Sequence, residues 1–237
     1  MDIRESVNED ADLNVPVELP TWADSIPENS EFGHSTGRRG SIKSVKVIGV
    51  GGAGCNVVLA ARASGVLDGA KRLPDFILVD VGNPVFARAA SRAARGMRPI
   101  RALPLAPLGA ARVMALRQRV TLKNMLTGAD MVVLVAGIGG TGSRVAPVIA
   151  RLAREANVPT VVVVAIAPFE YETVRQRKIP AAIKKLEHDA DQVLIVSNEE
   201  LSEDCGDMDV TSALGMIDRR IGERIRVVLD NANQLRA

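Results

Sequence analysis

Short apolar runs alternate with longer segments of mixed polarity along most of the chain. The runs are rich in β-branched residues and read as strands buried on both faces, at 45–50, 76–80, 131–136, 160–166 and 192–196. Between them, Ala, Arg, Leu and Lys recur at helical spacing in 54–65, 84–96, 109–127, 142–157 and 173–188. This alternation predicts a Rossmann-like α/β fold, in which a parallel sheet carries helices on both faces.

Two further elements follow from weaker patterns. A weak strand is predicted near 100–103, where Pro99 and Pro104 interrupt the pattern. From 210 to 235 apolar residues recur three or four positions apart, which predicts one long helix that closes the domain. These residues are Leu214, Ile217, Ile221, Ile225 and Val228.

Composition narrows the class of protein. A chain of 237 residues with 47% hydrophobic content can bury the core of one α/β domain. The longest apolar run, 161–169, is shorter than the ~20 residues of a membrane helix, and the first residues do not form a signal peptide. Cys55 and Cys205 fit neither a metal cluster nor a disulfide framework, so we expect reduced thiols in a cytoplasmic protein without membrane insertion.

Charge divides the chain into a tail and a basic body. Residues 1–35 hold nine acidic side chains and one basic, without a periodic apolar face, and are predicted to be a disordered acidic tail. Residues 36–237 keep 29 basic and 19 acidic residues. Nine Arg or Lys and no carboxylate lie between Val81 and Ala129, which indicates either a solvated helical face or a surface for an acidic partner or this tail.

Two glycine-rich segments follow predicted strands and open predicted helices. The first, in VKVIGVGGAGCNVV, contains G-x-G-x-x-G from Gly49 to Gly54, and by itself it favours a dinucleotide whose ribose Asp80 could hold. The second, AGIGGTGS, ends at Ser143. Helix N-termini at one sheet edge suit a phosphate, and two such loops indicate a triphosphate held from both sides. The lysine-containing P-loop pattern does not occur.

At these residues the sequence resembles the FtsZ branch of the tubulin/FtsZ family of GTP-binding filament proteins. The resemblance runs from Val45 to the last helix and includes PTVVVVAIAPFEYETVRQRK and QVLIVSNEEL. After the disordered acidic tail, taken as 1–43, the resemblance implies a nucleotide-binding domain at 44–209 and a long helix at 210–237, without the family's second domain. It also implies a bacterial cytoplasmic protein of cell division or the cytoskeleton, whose partners are guanine nucleotide and either itself or a full-length FtsZ-type filament protein. Nucleic acid is not an expected partner.

The resemblance also implies which residues bind GTP or GDP, with or without Mg²⁺. The phosphates are expected at the two loops, the ribose at Glu172, the base or ribose at Asn56 and the guanine edge at Asp218. No catalytic or metal-binding residue is assigned. The implied binding residues are Gly51, Gly52, Ala53, Gly54, Asn56, Gly139, Gly140, Thr141, Gly142, Glu172 and Asp218.

Several positions depart from the family pattern. Ser143, Arg144 and Val145 stand where the glycine signature ends, and Asp80-Val81-Gly82 replaces Asn-Thr-Asp. Counting back from Gly128 puts Leu103, Pro104 and Leu105 at the family's third phosphate loop, where leucine would block a γ-phosphate. The family's ribose-loop arginine falls on Gln176, between Arg175 and Arg177, and its Asn-Asp pair on the long helix becomes Asp218-Arg219.

Three functions therefore stay open. The first is a divergent FtsZ-like guanine-nucleotide-binding protein, a filament component or modulator. Because the sequence ends at Ala237, soon after the long helix, we expect it to lack the acidic loop that completes a neighbour's site, and so to hydrolyse GTP weakly or not at all. The second is a nucleotide-free interaction module on the same fold. The third is a dinucleotide- or adenylate-binding Rossmann-type enzyme.

Overall fold

The computed structural model describes residues 42–68, 70, 73–81, 100–105 and 111–232. The predicted acidic tail, except for its last two residues, lies outside these ranges. So do the predicted helix at 84–96 and the end of the predicted last helix, 233–237. Most of the arginine-rich stretch before residue 111 also falls outside the described residues.

Six parallel strands form one sheet in the order β3-β2-β1-β4-β5-β6. The predicted parallel sheet is confirmed, and the weak strand is its edge, where Pro104 is tolerated. The strands are β1 (Val45–Val50), β2 (Asp75–Val81), β3 (Ile100–Leu105), β4 (Met131–Gly137), β5 (Thr160–Ala167) and β6 (Gln192–Ser197). Since β1 and β4 are neighbours, the segments that follow them leave the same edge side by side.

Helices connect the strands in the described part of the chain. They are α1 (Gly51–Ala63), α2 (Ala111–Arg117), α3 (Arg119–Leu126), α4 (Thr141–Glu155), α5 (Thr173–Gln176), α6 (Ile179–Asp189), α7 (Asn198–Ser202) and α8 (Val210–Asp230), with a 3₁₀ turn at Glu203–Cys205. Two predicted continuous helices are each divided. The segment 109–127 breaks at Gln118, and 173–188 breaks before Pro180, whose missing N–H suits the first turn of α6.

The sheet is buried on both faces by separate layers of helices. One face packs against α1 and α8, with Val57, Ile221 and Ile225 in its core. The other face packs against α2, α3, α4 and α6, with Leu122, Ile149 and Leu186 in its core. The predicted helices on both faces are thereby confirmed. Within the described ranges, no helix is long and apolar enough to cross a membrane.

The long helix α8 begins at a capped N-terminus and packs closely on α1. The Asp209 carboxylate accepts hydrogen bonds from the Thr211 and Ser212 amides at 3.0 and 3.1 Å. A Cβ added at Gly222 would lie 2.7 Å from the Ala61 Cβ, so glycine permits the approach of the two helices. Asp218 lies one turn before Gly222 and therefore on the same side of α8.

Candidate functional site

The two glycine-rich segments touch each other at the carboxyl edge of the sheet. Gly51 begins α1 directly after β1, and its φ of +72° is one that glycine adopts without strain. A Cβ there would lie 2.8 Å from the Gly142 amide nitrogen, in the first turn of α4. The N-termini of α1 and α4 thus lie side by side, as the sequence predicts for two loops that share one sheet edge.

The glycines of this edge divide into two groups by what surrounds them. Gly54 and Gly142 serve packing, because a Cβ at Gly54 would lie 1.9 Å from the Val135 carbonyl oxygen and one at Gly142 would lie 2.8 Å from the Gly137 carbonyl oxygen. At Gly52 and Gly140 a Cβ would meet nothing within 4 Å. The open positions are therefore those where a bound group can approach the main chain.

Both helix N-termini leave their first amides without side-chain partners. Val50 occupies the N-cap position of α1 and Gly140 that of α4, but no side chain accepts a capping hydrogen bond at either helix. Neither helix has an acidic residue in its first turn. The first amides of a helix lack intrahelical acceptors and carry a partial positive charge. Two adjacent uncapped N-termini therefore suit a negatively charged group such as a polyphosphate.

Ser143, which departs from the family pattern, holds the second loop from within. Its hydroxyl donates to the Gly140 carbonyl at 3.0 Å and accepts from the Gly139 amide at 3.2 Å. The side chain therefore fixes the loop without entering the open space at Gly140. It also occupies one amide that a glycine at position 143 would leave to a ligand. Thr141 is half-buried at the start of α4.

The loop after β5 packs on this second glycine loop through Arg175. A Cβ at Gly139, whose φ is +87°, would lie 2.7 Å from the Arg175 Cβ. The Arg175 guanidinium forms an ion pair with Glu172, the predicted ribose contact. Gln176, at the family's arginine position, instead donates to the Pro168 carbonyl at 2.7 Å. From the sequence alone, Arg175 and Arg177 are equal candidates to replace the family's arginine. The contact with Gly139 favours Arg175.

Cys55 lies in α1, near Asp80 of β2. The buried Cys55 thiol donates to the Gly49 carbonyl at 3.4 Å. Burial raises the pKa of this thiol, and the nearby Asp80 carboxylate raises it further, so it stays protonated. Cys55 and Cys205 are both free thiols, as predicted. Asp80 lies near the carboxyl end of β2, the strand that pairs with β1.

Asn56 and Asp218 supply the polar groups predicted for the base. Asn56 is exposed on α1, one turn beyond Gly52. Asp218 is half-buried on the side of α8 that packs against α1, and this burial raises the pKa of its carboxyl to about 6. A carboxylate accepts hydrogen bonds from an N–H edge such as that of guanine. Their roles in binding stay predictions.

The prediction that Leu103, Pro104 and Leu105 replace a phosphate loop is wrong. These residues belong to β3, where they pair with Val79, Asp80 and Val81. The half-buried Leu103 packs against the core on the α2–α4 side of the sheet. The count from Gly128 failed because it carried the family's spacing over to a chain in which β3 extends to Leu105. The connection after β3 is 106–110, which contains Gly109 and lies outside the described residues.

Comparison with known proteins agrees with this architecture. The model of the "Tubulin/FtsZ family, GTPase domain" matches residues 110–206. Cell division protein FtsZ 1 of Archaeoglobus fulgidus is 35% identical over 162 residues, which is 67% of this chain and 43% of that protein. FtsZ of Neisseria gonorrhoeae is 33% identical over 171 residues, which is 70% of this chain and 42% of that protein. This chain belongs to the tubulin/FtsZ family.

Solved structures share the fold of this FtsZ-family chain. An empty FtsZ dimer from M. jannaschii matches with a TM-score of 0.65 and 21% identity, over 80% of this chain and 55% of that one. GDP-bound monomeric CetZ1 from Haloferax volcanii matches with a TM-score of 0.62 and 18% identity, over 79% and 60%. This chain spans less than half the length of the FtsZ proteins from Archaeoglobus fulgidus and Neisseria gonorrhoeae. Their archaeal and bacterial sources leave the predicted bacterial origin a prediction.

Proposed function

We propose that this chain binds a guanine nucleotide with its phosphates between the N-termini of α1 and α4. The observation that carries the proposal is the contact of two uncapped helix N-termini at Gly51 and Gly142. Beside this contact, Gly52 and Gly140 leave the main chain open. Magnesium would reduce the repulsion between the phosphates and Asp80.

The polar residues around this edge support a nucleoside as well as a phosphate. Glu172 is held near the second loop by Arg175 and is the proposed ribose contact. Asp218 is the proposed acceptor for the guanine edge, and Asn56 a contact to the base or ribose. Because Leu103 and Leu105 belong to β3, they no longer support a nucleotide-free interaction module, whereas the departures at Ser143, Arg144 and Val145 from the glycine signature still do.

We further propose that the chain acts in cell division or the cytoskeleton, as a filament component or modulator with weak GTP hydrolysis. Its relatives carry the name cell division protein FtsZ. Ser143 supports weak hydrolysis, since its hydroxyl engages the Gly139 amide. One donor fewer is then available for the charge that develops on the phosphates during the reaction.

Titration of the purified chain with fluorescent GTP, ATP and NAD analogues, with and without Mg²⁺, tests the nucleotide. Guanine-selective binding is expected, and it should be stronger with Mg²⁺. Preference for NAD or ATP would favour the Rossmann-type enzyme instead. Absence of binding to all three would favour the nucleotide-free interaction module.

Gly52→Trp tests the position of the site. The indole would fill the open space at the start of α1, so GTP affinity should fall at least about a hundredfold, or ~2.7 kcal/mol. Ala63→Trp is the matched control, because Ala63 is exposed at the other end of α1, about 16 Å away. Equal affinities in the two variants would remove the first loop from the site.

A further inference from the structure

The exposed surface of α2 and α3 is basic and has no acidic partner among the described residues. Arg112 and Arg117 on α2 and Arg119 and Lys123 on α3 are exposed. None of the four forms a salt bridge with a described residue. The sequence from 81 to 129 contains no Asp or Glu, so nothing within these helices offsets the charge. This basic face, defined by the four residues, carries a concentrated positive potential.

Apolar side chains are exposed on the same two helices. Leu116 on α2 is 47% exposed and Val120 on α3 is 64% exposed. In sequence each lies next to a member of the basic face, Arg117 or Arg119. A partner that fits this surface is therefore acidic and also carries apolar side chains. Such a surface gains both from charge pairing and from removing apolar area from water.

The first 35 residues of the chain have this chemistry. They contain nine carboxylates and one basic residue, and the carboxylates are interspersed with Leu13, Val17, Leu19, Trp22 and Ile26. Glu18 and Asp24 flank the single tryptophan of the chain, Trp22. The acidic segment 1–35 thus complements the basic face in charge and in apolar content.

The described part of the chain begins beside the end of α3. Ile42 is buried, and the Lys43 and Ser44 amides donate to the Asp130 carboxylate at 2.8 and 2.9 Å. Asp130 follows the last residue of α3, Leu126, by four positions. The point from which the acidic segment extends is therefore fixed near the C-terminal end of the helix that carries Lys123.

A second contact fixes the same corner. The ammonium of Lys46, on β1, donates to the carbonyl oxygens of Met125 and Thr127 at the end of α3. A cation at this position satisfies carbonyls that the helix itself leaves unpaired. Hydrogen bonds thus join residues 43–46, at the start of β1, to residues 125–130, at and just after the end of α3.

The distances permit contact within one molecule. Trp22 precedes Ile42 by 20 residues, and any chain of that length can span at most ~70 Å. The eight residues of α3 extend over only about 12 Å. The attachment point thus keeps the acidic segment at high effective concentration near the basic face.

We propose that the acidic segment 1–35 docks on the basic face of α2 and α3 in its own molecule. Docking covers Leu116 and Val120 and neutralises a surface that would otherwise bind other polyanions. The four residues of the basic face belong to neither glycine loop, since α2 and α3 connect β3 to β4.

Fluorescence of Trp22 in the full 237-residue chain reports the docking directly, because no other tryptophan contributes. At ~0.01 M salt, where the Debye length is ~30 Å, we expect emission at shorter wavelength and protection from acrylamide. At ~1 M salt, where it is ~3 Å, both effects should be reduced. Solvent-exposed Trp22 at both salt concentrations would overturn the proposal and leave the face to another acidic partner.

Charge-neutral variants locate the contact. Arg117→Gln, Arg119→Gln and Lys123→Gln together should abolish the protection of Trp22 at low salt. A matched control removes the same charge elsewhere, from exposed lysines of α6 and its N-cap position, with Lys178→Gln, Lys184→Gln and Lys185→Gln. This control should leave Trp22 protected. An equal loss in both sets would show nonspecific attraction and contradict a defined docking face.

Changes in the acidic segment separate docking from unfolding of the domain. Glu18→Gln, Asp24→Asn and Glu28→Gln should also expose Trp22, while the thermal transition of the domain stays in place. Protection that weakens on dilution, together with a dimer in light scattering, would show docking on a second copy and overturn the intramolecular proposal.

Discussion

At the scale of single residues, Asp218 affects both the free energy of unfolding and the proposed nucleotide site. Within the described part it forms no hydrogen bond or ion pair, and burial raises the pKa of its carboxyl to about 6. An unfolded aspartate titrates near ~3.9. Between these pH values the folded state keeps a proton that the unfolded state has lost, so the free energy of unfolding falls as pH rises. Above pH ~6 the full cost, about 1–2 kcal/mol after allowance for solvent screening, is present.

Asp218→Asn should remove this pH dependence, because the amide has no charge to desolvate. In urea unfolding, we expect the variant to exceed the wild type by about 1–2 kcal/mol at pH 7 and to match it below pH ~4. Its preference for GTP over ATP should weaken at the same time, since the proposed acceptor is lost. An unchanged difference between pH 4 and 7 would contradict the titration of Asp218 in this window.

At the residue scale, the sequence indicates which residues lie at the site but not what each of them does. The glycine motif includes both Gly52 and Gly54, because a motif does not show which added Cβ would meet backbone and which would meet solvent. The structure separates them, since only Gly54 faces the Val135 carbonyl. Arg175 and Arg177 were equivalent in sequence for the same reason, and only the packing on Gly139 distinguishes one of them.

At the scale of elements, the approach of α1 to β4 is set by Gly54. Gly54→Ala puts a Cβ 1.9 Å from the Val135 oxygen, so backbone must shift. We expect a loss of at least about 1–3 kcal/mol in the free energy of unfolding. Gly52→Ala is the matched control in the same turn, and its open surroundings predict a change within about 1 kcal/mol. Denaturant unfolding compares the two, and similar losses would contradict the division of these glycines.

The strands were predicted closely and the helix breaks were not, for a physical reason. A strand buried on both faces leaves a local signal, a short β-branched run, and β1 matches its prediction at both ends. The break at Gln118 has no proline or glycine to mark it, so no local signal in the sequence indicates it. The error at Leu103 came from carrying the family's spacing back from Gly128, whereas β3 in this chain extends to Leu105.

At the scale of the whole molecule, the matched region is the part of the family fold that carries both glycine loops. The M. jannaschii FtsZ structure matches 80% of this chain but only 55% of its own length. A head-to-tail filament needs two different complementary faces on each subunit. If the glycine loops form one of these faces, a variant that blocks the proposed nucleotide site should also abolish any effect of this chain on FtsZ filaments.

The proposed role in filaments is tested by mixing this chain with a full-length FtsZ. Alone with GTP and Mg²⁺, the chain should release phosphate slowly. Added to a full-length FtsZ with GTP, it should change the mass of polymer that sediments, as expected of a filament component or modulator. Gly52→Trp should lose this effect together with nucleotide binding, whereas Ala63→Trp should keep both. An unchanged sedimented mass would separate nucleotide binding from any role in FtsZ filaments.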